Sequence, residues 1–196
     1  SYGGCKVGVG DTLIGAVKAI TDYQGASAAS HVKDKIIEMC HLNETLYSCG
    51  IACSAEGRKT AAGNYLIDVL LANICKQNVT RFPYEMARIA QDLAGGLLVT
   101  MPSEKDFNHP KVGPIINKYL AARTDVPTAD RQKMLRFIEN LTMGCAAVGY
   151  LTESMHGAGS PQAQRIMIAR QVDLNYRKEL AEKLCGVKEN PDVDWK

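Results

Sequence analysis

No run of apolar residues in this 196-residue chain approaches the length that a membrane-crossing helix needs. Its apolar runs, Leu97–Val99 and Ile166–Ile168 among them, fall far below the roughly 20 residues of a spanning segment. Charge of one sign is missing too: 23 Lys and Arg stand against 21 Asp and Glu, a net charge of +2. That balance leaves no electrostatic footprint for nucleic acid or an anionic membrane surface. An initiator methionine and a signal peptide are both absent from the Ser1-Tyr2-Gly3-Gly4-Cys5-Lys6 start, so the chain reads as the interior of a longer one. Paired cysteines are not evident either. Seven cysteines, an odd number dispersed along the chain, argue against a secreted disulfide framework and for a reducing cytoplasm. No stretch shows convincing period-two alternation, and no internal repeat is visible.

What is present is ordinary for a folded protein. Hydrophobic residues at 46% and charged residues at 22% exclude wholesale disorder, and the length suits one large domain or two small ones. The periodicity is helical nearly throughout. Val9, Leu13, Ile14, Val17 and Ile20 share one side of a segment closed by Tyr23-Gln24-Gly25. Ser30 can cap a long helix with Val32, Ile36, Met39, Asn43, Leu46, Gly50 and Cys53 along one stripe. An apolar helix is expected over Tyr65–Val79, and another over Tyr84–Leu98 with Pro83 in its first turn. Pro102 to Pro114 reads as a surface loop. Pro127 and Thr128 open a helix whose core stripe is Met134, Leu135, Ile138, Leu141, Cys145 and Val148. Ser160-Pro161 starts a further helix, and a last one runs from Asp173 to Cys185, stopped by Gly186. The expectation is an all-α bundle of about six to eight helices.

Several residues carry possible chemistry. On a helix, Tyr2, Cys5 and Lys6 at i, i+3 and i+4 put a phenol, a thiol and an ammonium on one face, with Lys6 favouring the thiolate that ligates metal. The bland alternative is a frayed terminus with a small apolar Cys. Cys40, His41, Cys49 and Cys53 fall on one helix, but His41 is about 12 Å along the axis from Cys49, too far for one zinc ion. Core packing explains those thiols better. Glu153 ends an apolar helix beside a glycine turn, where a partly desolvated carboxylate could serve as a base, or could simply be solvated. His156 is equally an acid–base candidate or a plain turn residue. Asp92-Leu93-Ala94-Gly95-Gly96 offers backbone N–H groups to a phosphate, or an ordinary helix stop.

Longer strings are more specific. His41-Leu42-Asn43-Glu44-Thr45-Leu46-Tyr47, Ala61-Ala62-Gly63-Asn64-Tyr65, Cys75 through Glu85 and Thr152 through Gln162 closely resemble the 4-hydroxybutyryl-CoA dehydratase / vinylacetyl-CoA Δ-isomerase family. The similarity runs from Tyr2 to about Gly186, so the resemblance implies a helical domain over 1–186 and a tail over 187–196. It also implies the four-helix bundle that ends acyl-CoA dehydrogenase-like proteins, with an N-terminal half lying outside this chain.

The resemblance carries a site with it. It implies FAD and a [4Fe–4S] cluster held by three Cys and one His, with Cys5 as one cluster ligand and Tyr2 and Lys6 positioning the substrate. The family's ligand His falls upstream of Ser1, and its cysteine pair lies in the N-terminal half. Glu153 matches the family's base, while Asp92, Gly95 and Gly96 resemble a Gln-x-x-Gly-Gly stretch that touches the FAD of a neighbouring subunit, with Asp in place of Gln. The implied substrate is a CoA thioester, and the implied assembly a homotetramer. This chain alone is expected to bind no intact cluster and to show no turnover. Two other readings remain: a domain of a flavin-dependent 4-hydroxyphenylacetate hydroxylase, or a helical module that only oligomerises.

Overall fold

The structure, a computed structural model, describes residues 2–157 and 159–188, and for residues 2 and 3 the backbone alone. The chain begins with α1 (Tyr2–Tyr23), which buries Leu13, Ala16, Val17 and Ile20 on one stripe. Gly25, at φ 74°, turns it back into α2 (Ser30–Ala55), which buries Val32, Met39, Leu42, Asn43 and Leu46. A small antiparallel hairpin follows, β1 (Arg58–Lys59) with β2 (Tyr65–Leu66), Arg58 facing Leu66. Then come α3 (Val69–Val79), α4 (Phe82–Ala94), α5 (Leu97–Thr100), α6 (Glu104–Phe107), α7 (Gly113–Tyr119) and α8 (Thr128–Thr142). After one helical turn, α9 (Cys145–Ala147), the chain adopts a π turn (Val148–Thr152) and re-enters α-helix as α10 (Glu153–His156). It closes with α11 (Pro161–Gln171) and α12 (Leu174–Leu184).

The core is a four-helix bundle. α1 packs on α2, α4 and α8, and α4 packs on α2 and α8. Leu13, Val17 and Ile20 of α1 meet Met39 and Leu42 of α2, Met86, Ile89 and Ala90 of α4, and Leu135 and Ile138 of α8 in one continuous cluster. Each such side chain contributes roughly 1.5–3 kcal/mol on removal from water, which fixes the four helices together. α3 lies outside the bundle between α2 and α11. The close approach of α1 to α2 depends on Gly10: a Cβ there would stand 2.1 Å from Asn43 Oδ1. The buried Asn43 amide donates to Val7 O at 3.2 Å and Asp11 Oδ1 at 2.7 Å, which holds it against the glycine.

The all-α expectation stands, with local departures. Among the described residues there are twelve α-helical segments, not six to eight, because short turns of helix occupy the long connections. The helix expected from Tyr65 begins at Val69, where Asp68 accepts from Leu71 N at 2.7 Å and caps it. Tyr65 and Leu66 belong to the hairpin, whose two-residue strands are too short to show alternation. The segment from Pro102 to Pro114 contains α6, closed at its start by a capping box between Ser103 and Asp106. Ser30 is the first residue of α2, not its cap, and Ala29 holds the cap position. Ser160 and Pro161 act as expected, the Ser160 hydroxyl accepting from Ala163 N at 3.2 Å. The tail beyond residue 188 lies outside the described residues.

One departure bears on the site. The stripe read through Cys145 and Val148 does not continue: Leu135, Ile138 and Thr142 are buried, whereas Cys145 and Val148 are exposed. α8 stops at Thr142, and the chain bends at Gly144, where a Cβ would meet Asn140 Cα at 2.9 Å. Beyond the bend the buried positions are Ala147, Tyr150 and Ser154.

Candidate active site

Cys5 and Lys6 lie in the first turns of α1 but meet different surroundings. Cys5 is exposed, whereas Lys6 is buried, with its side chain 7% exposed. The Lys6 ammonium crosses to the end of the π turn, donating to Gly149 O and pairing with the Glu153 carboxylate. These partners lie 143 and 147 residues away in sequence, so the fold alone brings them together. Glu153, read as a partly desolvated or a solvated carboxylate at an apolar helix end, is half-exposed rather than core-facing. Its side chain is 44% exposed, and the buried member of the pair is the cation. The bend at Gly144 and the π turn cause this by carrying Glu153 from the core stripe to the rim.

The inner face of that segment is anchored. The Tyr150 hydroxyl lies 3.4 Å from Met86 Sδ in α4, and the buried Ser154 hydroxyl donates to Tyr150 O. Burial in this apolar setting pushes the Tyr150 phenol well above its usual range, so it stays protonated. Sequence reasoning missed Gly149, Tyr150 and Ser154. The signal available was Gly149-Tyr150 inside a helical run, a glycine with no evident turn to make.

The Tyr2 side chain lies outside the described residues, so the expected phenol, thiol and ammonium face is seen only at Cys5 and Lys6. Next to Cys5, Gly4 borders a groove of about 460 Å³ lined by Tyr47, Ile51, Cys53, Ile67 and Cys75. Burial, with the Cys49 and Cys53 thiols nearby, pushes the Cys75 thiol up to about 11, so it is an inert core group. Cys53 is buried and Cys49 half-buried, as core packing anticipates, but Cys40 on the same helix is exposed, against that reading, and Cys145 and Cys185 are also surface thiols. His41 is exposed and lies 3.4 Å from Glu38. Among the described residues no three His, Cys, Asp or Glu side chains are placed to hold a metal ion. Within this chain, Cys5 can therefore offer a single ligand, not a whole set. Among the described residues no helix is long and apolar enough to cross a membrane.

Asp92, Gly95 and Gly96 are elsewhere. Asp92 pairs with Lys35 on the surface, and Gly95 ends α4 at φ 79°. Gln24, just past α1, donates to Ala94 O at 3.1 Å, which ties this corner to the far end of α1 from Lys6. Between Lys6 and its end at Tyr23, α1 is about 26 Å long. The two glycines have open space where a Cβ would stand, so a flat group could approach their backbone. One chain therefore presents two separate features, an ion pair with a thiol at one end of the bundle and an open glycine corner at the other.

A helical bundle with this connectivity matches a defined class. Residues 1–186 match the HpaB family, described as 4-hydroxyphenylacetate 3-hydroxylase C terminal, and the chain belongs to that family. Within it, the chain is 64% identical over 196 residues to the 4-hydroxybutyryl-CoA dehydratase/vinylacetyl-CoA-Δ-isomerase of Clostridium aminobutyricum. That alignment covers 96% of this chain and 40% of the relative, so the chain spans well under half of that protein. Identity falls to 25% over 131 residues with the oxygenase component of 4-hydroxyphenylacetate 3-monooxygenase from Geobacillus sp. (strain PA-9). Among solved structures, an oxygen-tolerant archaeal 4-hydroxybutyryl-CoA dehydratase from N. maritimus superposes with a TM-score of 0.90 at 60% identity, covering 95% of this chain and 37% of that one. An HpaB oxygenase component complexed with FAD superposes at 0.81 with 20% identity over 91% of this chain and 37% of that one, a likeness of fold.

Proposed function

We propose that this chain is the C-terminal helical part of a dehydratase that converts 4-hydroxybutyryl-CoA to crotonyl-CoA and isomerises vinylacetyl-CoA. The observation that carries the reading is the Lys6–Glu153 pair, assembled across the bundle beside the exposed Cys5 thiol. The 64% identity to the clostridial dehydratase supports it, and the 25% identity to the hydroxylase component makes that alternative the weaker one.

The reaction begins with removal of a proton from the carbon next to the thioester carbonyl. Glu153 is the group assigned to take it: its carboxylate is 44% exposed at the rim, reachable by a substrate, and Lys6 holds it in place. Negative charge then develops on the thioester, and the Lys6 ammonium is the group assigned to offset it. Tyr2, at the head of the same helix, is assigned to orient the substrate.

Two cofactors belong to this reading. The exposed Cys5 thiol fits one ligand of a [4Fe–4S] cluster, with the other ligands coming from the part of the protein outside this chain. Gly95 and Gly96, with Asp92, are assigned to the FAD of a neighbouring subunit, which suits a corner at the opposite end of α1 from Lys6. When bound, the cluster supplies a Lewis-acidic iron for the departing hydroxyl and FAD a one-electron acceptor. A shared FAD requires a homo-oligomer, and a tetramer in the cytoplasm is the form we assign. α12 supports assembly: Leu174, Tyr176, Leu180 and Leu184 are exposed along a helix that buries none of its residues.

The test is turnover by the full-length, cofactor-loaded protein. Glu153→Gln is expected to lower kcat about 10²–10⁴-fold, and Cys5→Ala to lower its bound iron. Wild-type activity in both variants would instead support a bundle that only oligomerises.

A further inference from the structure

We propose that the π turn Val148–Thr152 is a register device, with Gly149, Tyr150 and Ser154 as the positioning residues that bring Glu153 onto Lys6. This rests on the assignment of Glu153 above. Helical phase carries the argument. α8 buries Leu135, Ile138 and Thr142. At about 100° per residue, an unbroken helix would bring residues 149 and 153 within about 20° of Thr142, facing the core. A carboxylate there would be buried away from water. The structure instead buries Ala147, Tyr150 and Ser154 and leaves Glu153 at the rim.

Two features make the change of face. The bend at Gly144 ends the first register. The π turn then adds one residue within the helical run: Glu153 N donates to Val148 O, five residues back. Its outer face carries Gly149 O and the Glu153 carboxylate, four residues apart, and both accept from Lys6. Its inner face is pinned by the Tyr150 hydroxyl at Met86 and by Ser154 at Tyr150 O. One lysine thus reads both a backbone carbonyl and a side chain of this segment. A π turn is poorer helix than an α turn and persists where a site needs it.

The experiment inserts one alanine after Thr152 in the full-length, cofactor-loaded protein, which carries Glu153 about 100° past its place on Lys6. kcat is expected to fall about 10²–10⁴-fold, as for Glu153→Gln. A readout free of turnover is acetic anhydride labelling followed by mass spectrometry: Lys6 is expected to be protected in wild type and to react faster in the insertion protein. If the insertion protein fails to fold, exchanging the two residues (Thr152→Glu with Glu153→Thr) keeps the turn and moves the carboxylate by one position, with the same losses expected. A folded insertion protein with wild-type turnover and wild-type Lys6 protection would overturn the register inference. Should Glu153→Gln itself retain activity, the assigned base fails, and Lys6 labelling alone decides the register.

Discussion

Replacing either member of the Lys6–Glu153 pair should destabilise the domain unequally, and the order follows from burial. The Lys6 side chain is 7% exposed and that of Glu153 is 44% exposed. Glu153→Gln takes the anion away from a buried ammonium, and such a loss costs about 2–4 kcal/mol. Lys6→Met keeps an apolar stem of similar length in the same place and returns the half-exposed carboxylate to water, which should cost about 1 kcal/mol or less. A domain of this size shifts in Tm by roughly 2–4 °C per kcal/mol. Glu153→Gln is therefore expected to melt about 5–15 °C below wild type, and Lys6→Met within about 4 °C of it. Paired urea and thermal unfolding curves on the two variants measure this. A Lys6→Met protein less stable than Glu153→Gln would refute the reasoning, because the cation would then not be the costly buried charge.

Further outcomes follow from individual sites. Gly10→Ala places a Cβ against the held Asn43 amide and should cost about 1–3 kcal/mol in urea unfolding; an unchanged midpoint would contradict the close packing of α1 on α2. Cys75 is pushed up to about 11 from 9.0 by burial, so above pH 9 the unfolded chain loses a proton that the folded chain keeps, and stability falls as pH rises from 9 to 11. Unfolding of Cys75→Ala across that window should show a shallower decline, and an unaltered slope would count against the assignment. Ser160→Ala removes the cap of α11 and should cost about 1 kcal/mol, read from the thermal midpoint. Leu180→Glu on α12 should shift the full-length protein to smaller particles in light scattering if that exposed stripe is an assembly surface.

Much of the bundle was legible because its stripes are long and in phase. Leu13, Val17 and Ile20, or Met39, Asn43 and Leu46, repeat at helical steps and are buried as read. The errors lie where the signal is short. Two-residue strands at Arg58–Lys59 and Tyr65–Leu66 carry no period, and the α6 turn hid among Pro, Asn and His although Ser103-x-x-Asp106 is a cap signature. Cys145 and Val148 were misread because periodicity extrapolates straight through a bend and a π turn, neither of which alters composition. Spacing could place Cys5 and Lys6 near one another, and the glycine turn after an apolar helix drew attention to Glu153, but nothing in the sequence joins Glu153 to Lys6, 147 residues away. Its pairing with a buried lysine, and the backbone carbonyl that shares that lysine, are consequences of tertiary packing.

The most direct test of the central claim is exchange of the substrate's α-hydrogen with solvent deuterium. The full-length, cofactor-loaded wild type and its Glu153→Gln variant are compared, with 4-hydroxybutyryl-CoA binding checked in both. Wild type is expected to wash deuterium into the carbon next to the thioester, and the variant to bind substrate but exchange about 10²–10⁴-fold more slowly. Exchange at the wild-type rate in the variant would contradict the account, because some other group would then be taking the proton.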